Sequence, residues 1–176
     1  MGVKSYSTPM WARRARVVWG IGGVLAMLVE AATRLSFHVR EAIGEGLGAG
    51  EWAAMAAWVP FMLYAEGWRG FHQRFNPRVV RRAFELAERG STANRVFAPL
   101  WAMSFWGDAR RQVVVIWTLT AVIIGLVFAI RAMPQPWRGV VDAGVVAGLS
   151  FGAASLVWHA VQEARRRRAA RASEAP

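Results

Sequence analysis

At 176 residues, with 55% hydrophobic side chains, ten tryptophans and a mean hydropathy of +0.25, the chain is sized for one helical bundle rather than several domains. Cysteine is absent, which excludes a disulfide framework, a thiolate nucleophile and a cysteine metal site. The net charge of +11 would suggest nucleic acid as partner in a soluble protein, but here the charges fall between apolar runs and ask for another account.

Residues 1–16 form a short basic segment, MGVKSYSTPMWARRAR, expected to be unstructured up to Trp11. A first apolar span covers 17–35, interrupted by Glu30, and Gly20, Gly22, Gly23 and Ala26 give it a small-residue surface for another helix. FHVREAIGEGLGAGE then reads as a polar, glycine-rich connection. The second span, 51–68, is the shortest: its uncharged run from Trp52 to Ala65 has fourteen residues and contains Pro60. It is read as spanning because the charge distribution requires the chain to return.

Residues 69–111 are the longest segment expected outside the bilayer. Asn76 followed by Pro77 has the form of a helix start, with Asn as N-cap and Pro at the first helical position. On a helical wheel Val79, Val80, Ala83, Phe84, Leu86 and Ala87 share one arc, and Arg78, Arg81, Arg82, Glu85, Glu88 and Arg89 fill the other. Gly90 is the expected terminator. VFAPLWAMSFW, ending at Trp106, is too short to cross and rich in interfacial aromatics.

The third span, 113–130, is the strongest: eighteen residues without a charge, roughly 27 Å of helix, close to the hydrocarbon thickness of a bilayer. After a tight turn the fourth span, 139–161, carries Asp142 near its start, His159 near its end, and Gly144, Gly148 and Gly152 as a smooth stripe for close helix packing. Residues 162–176 read as a basic, soluble tail.

Of the Lys and Arg residues, 18 lie in the two terminal segments and the long middle segment and 4 in the two short connections. That asymmetry puts both termini and the amphipathic helix in the cytoplasm and explains the net charge without nucleic acid. The expected fold is therefore all-α: a polytopic membrane protein with four transmembrane helices and a cytoplasmic amphipathic helix between helices two and three. Arginine outnumbers lysine 21 to 1. With abundant Ala and Gly, this composition fits a GC-rich bacterial genome, and hence the inner membrane as location.

Charges inside a bilayer are costly, so Glu30 and Asp142 are candidates for a proton or cation path, against a plainer role in which Glu30 pairs with Arg34 and Asp142 stays hydrated near the surface. The densest polar stretch is AEGWRGFHQRFNPR. Its Glu66, Arg69, His72, Arg74 and Arg78 form a candidate site for a lipid headgroup or other anion, with Glu66 and Arg69 placed to pair, against an ordinary basic elbow that sets orientation. His72 and His159, near the same ends of spans two and four, are the pair that would hold haem iron axially; nothing in their spacing demands it, and no cofactor or metal is expected.

The amphipathic helix has three readings: lying on anionic lipid, docking on a partner, or covering the end of its own bundle. No glycine-rich phosphate loop, nucleophile with a base, or pair of facing carboxylates is present in the middle segment. The leading expectation is a non-enzymatic protein that associates with other membrane proteins or with itself through the glycine stripe and the amphipathic helix. The alternatives are a small transporter or channel using Glu30 and Asp142, and a membrane enzyme or haem carrier acting near Glu66, Arg69 and His72.

Overall fold

The structure, a computed structural model, describes residues 10–89, 97–105 and 109–173. The first nine residues, Gly90 and Trp106 lie outside the described residues. Helix α1 runs Met10–Glu45; α2, Ala49–Met62, passes without a break into a π-helical segment, Leu63–Phe75, and on into α3, Asn76–Arg89. A short α4, Ala98–Ala102, precedes α5, Arg110–Arg131, and α6, Trp137–Ser173. The fold is all-helical among the described residues, and three stretches, Trp11–Glu45, Arg110–Arg131 and Trp137–Ala170, are long and apolar enough to cross a membrane.

α1 and α6 run antiparallel. Ala42 and His38 of α1 lie against Gly139 in the first turn of α6, where a Cβ would strike the Ala42 side chain and the His38 carbonyl. At the other end Ile21 and Val24 share a core with Leu156. This contact explains why α1 continues as helix through Glu45, where a glycine-rich connection was expected: Ala42 is fully buried, and the chain turns only at Gly46, whose φ of +92° suits a residue without Cβ.

α2 and the π-helical segment run parallel to α6. Trp58 Nε1 donates to the Val141 carbonyl at 3.1 Å, and His72 shares a 2.8 Å hydrogen bond with Ser155. Between these points Trp58 and Met62 cover Gly144, Glu66 covers Gly148, and Phe71 covers Gly152. The contact thus follows α6 from Val141 to His159, roughly 27 Å of helix. The glycine stripe is filled from within the chain and is not open to a second protein.

α3 begins at Asn76 as expected, but not with Asn76 as a cap: its φ of −61° and ψ of −44° are helical, and its backbone N–H donates to Phe71, five residues back. It is buried, and its Nδ2 donates to the Gly152 carbonyl at 2.9 Å. A tertiary hydrogen bond has taken the side chain that local propensity would have used as a cap.

α3 places Val79, Val80, Ala83, Leu86 and Ala87 in the core, with Ala83 against Gly20 of α1. Of its three readings the structure has the last: the apolar face covers the chain's own bundle. Arg82, expected on the polar arc, is 4% exposed, donating from Nε to the Trp101 carbonyl at 3.0 Å with its guanidinium 4.0 Å from the Trp101 ring. α4 docks through Pro99 on Gly23 of α1. The basic tail prolongs α6 to Ser173. α5 stands apart, with Ile116 and Ile130 its buried residues.

Candidate functional site

The polar residues of α2, the π-helical segment and α6 gather along one seam. Glu66 reaches across Gly148 with Oε2 buried and without a hydrogen-bond partner. Trp68 stacks on His72 with ring centroids 4.6 Å apart, and Phe151 lies across both. The His72 and His159 rings are 4.7 Å apart, and His159 Nε2 donates to the His72 carbonyl at 3.0 Å.

π-helical bonding closes each turn one residue later than α-helical bonding, so residues three apart no longer share a face. The expected Glu66–Arg69 pair is for that reason absent: Glu66 turns inward to α6 and Arg69 is exposed. The histidines touch each other, with nitrogens engaged by Ser155 and by the His72 backbone, and this arrangement does not present the axial pair that haem would need.

Arg74 and Arg78, the remaining members of the expected site, lie one turn further on. They line an open groove of about 860 Å³ between α3 and α6, together with Arg81, Arg166 and Arg167. Comparison with protein-family models, curated proteins and solved structures finds no match to this chain.

Glu30 and Asp142 are not brought together. Glu30 pairs with Arg34 on the exposed surface of α1, as the plainer reading had it. Asp142 is 2% exposed rather than hydrated, and its Oδ2 lies 3.1 Å from His38 Nδ1 and 3.9 Å from Arg138 Nε. Arg138 Nη2 is 2.7 Å from His38 Nε2. A guanidinium only donates, so His38 Nε2 accepts and its ring proton sits on Nδ1. Glu30 lies eight residues, roughly 12 Å, along α1 from His38. Among the described residues no group of three or more His, Cys, Asp or Glu could hold a metal.

Sequence reasoning missed Ser155, the inward turn of Asn76, and the Asp142–His38–Arg138 cluster. The first had a signal: Ser155 and His159 lie three and seven residues beyond Gly152 and so share its face. It also missed a second stripe. On α5, Ala121, Gly125 and Ala129 recur every fourth residue, all exposed, and a Cβ on Gly125 would meet open space.

Proposed function

We propose that this chain is an integral protein of the bacterial inner membrane, crossing four times with both termini in the cytoplasm, and that it acts without chemistry of its own by binding a transmembrane helix of another chain through α5. The observation that carries the reading is the state of α5: an apolar helix long enough to cross, exposed on nearly every side, with an open small-residue stripe at Gly125. Helices in lipid associate through close backbone approach at such stripes. The stripe on α6 is consumed inside the molecule, which leaves α5 as the surface for association.

Four crossings are supported by the parallel run of α2 and the π-helical segment alongside α6 over roughly 27 Å, so that the second helix crosses wherever the sixth does. A reporter fused after Ser173 is expected to be active in the cytoplasm, and one inserted at Gly46 on the far side.

Because the chain has no cysteine, single substitutions report cleanly. Ala121→Cys, Gly125→Cys and Ala129→Cys are expected to crosslink in native membranes, to a second copy or to a different protein, whereas Ile123→Cys and Val127→Cys on the opposite side of the helix are not. A monomer that crosslinks to nothing from any of these positions ends the proposal.

A further inference from the structure

The groove between α3 and α6 has a composition that selects a ligand. Five arginines line it against two glutamates. Both glutamates are already neutralised on their own helices, Glu163 by Arg167 at 2.6 Å and Glu85 by Arg81 at 3.6 Å. Arg167 is further occupied by the Phe84 ring, 4.5 Å away. Arg74, Arg78 and Arg166 remain, and among the described residues none has a carboxylate within ion-pair distance. They come from three places, the π-helical segment, α3 and α6, so the site exists only in the folded molecule.

We propose that this groove binds a phosphate group, held by Arg74, Arg78 and Arg166. Guanidinium forks match phosphate oxygens in paired, charge-assisted hydrogen bonds, and three of them lining one open recess offer an anion more donors than arginines scattered along a helix. Gln162 adds an uncharged donor to the wall. Trp158, 59% exposed, stands at the rim, and tryptophan favours the headgroup level of a bilayer. A phospholipid headgroup and a free phosphate present the same chemistry to the arginines; they differ in whether an acyl chain is needed beside Trp158. The inference rests on the groove alone and stands or falls separately from the association through α5.

The test is thermal unfolding of the full chain in neutral detergent, titrated with phosphatidylglycerol, phosphatidylcholine, glycerol phosphate or inorganic phosphate. Stabilisation by phosphatidylglycerol is expected, and not by phosphatidylcholine, whose quaternary ammonium cancels the charge of its phosphate. Apparent affinity should fall roughly fivefold for each of Arg74→Gln, Arg78→Gln and Arg166→Gln, and remain unchanged in Arg14→Gln and Arg40→Gln, which remove the same charge elsewhere. Single variants guard against loss of folding, and Arg166→Gln, exposed on α6, is the mildest. Equal stabilisation by glycerol phosphate or inorganic phosphate would support the site and identify a free phosphate as its ligand. If phosphatidylcholine stabilises as well as phosphatidylglycerol with no response to either phosphate, or if the groove and distant variants weaken binding alike, the proposal is overturned.

Discussion

His159 gives the carbonyl of His72 the hydrogen bond that Pro77 cannot. In the π-helical ladder Asn76 N–H bonds Phe71, so the next donor in register, Pro77, would serve His72, but proline has no N–H. The His159 ring, from 87 residues away, occupies that position at 3.0 Å. An interfacial histidine that invited a cofactor reading is thereby accounted for as the repair of an orphaned backbone acceptor. His159→Ala is expected to cost about 1 kcal/mol of stability in detergent, the net value of such a bond. In a Pro77→Ala background, where the backbone supplies its own donor, the cost should shrink; equal costs in both backgrounds would refute the substitution of one donor for another.

Asn76 distinguishes a cap from a tertiary bond. Aspartate is as good an N-cap as asparagine, so a capping role predicts that Asn76→Asp is neutral. As a buried donor to Gly152, Asn76 cannot be replaced by a carboxylate. Asn76→Asp is expected to destabilise by at least as much as Asn76→Ala, about 1–3 kcal/mol, in a thermal or SDS unfolding series.

Three glycines should answer the same substitution differently. A methyl group at Gly139 meets the Ala42 side chain and the His38 backbone, and one at Gly23 meets the Pro99 ring; neither neighbour can swing aside. Gly139→Ala and Gly23→Ala are each expected to cost about 1–3 kcal/mol by overpacking. Gly125→Ala, facing open space, should leave the monomer's unfolding unchanged or raise it slightly through helix propensity.

The two acids once paired in a transport reading should separate in a stability assay. Asp142→Asn removes the charge that faces Arg138 and His38 from a site 2% exposed, and about 1–3 kcal/mol of destabilisation is expected from the loss of those polar contacts. Glu30→Gln, in a surface pair with Arg34, should fall within about 0.5 kcal/mol of the parent. Similar losses in the two variants would contradict the placement of Asp142.

The long helices were legible because a charge-free run is a property of the sequence itself: the 113–130 stretch lies within α5, and the Val79, Val80, Ala83, Leu86 and Ala87 arc goes to the core as its spacing requires. What was not legible depends on contacts distant in sequence. The Asn76 side chain was taken from its capping role by a hydrogen bond to Gly152, the Phe37 to Glu45 stretch was held helical by Gly139, and Arg82 was drawn inward by Trp101. For the candidate site, the sequence supplied Glu66, His72, Arg74 and Arg78 but joined them into one cluster; the wider π turn divides them, Glu66 and His72 to the seam, Arg74 and Arg78 to the groove. Periodicity arguments assume an α-helical turn, and they fail where the turn changes.

The π-helical segment works as a phase shifter. It carries the second helix from its contact with α6 through Glu66 and Phe71 to the core that Val79 and Val80 share with Ile21 and Val24 of α1. Excising a single residue such as Gln73 would move everything beyond it one place back, about 100° around the helix, carrying Arg81 and Glu85 into the apolar places of Val80 and Phe84 and Val79 into the polar place of Arg78. The angular setting of the arginine-lined recess is thus decided upstream, inside a helix that does not line most of it.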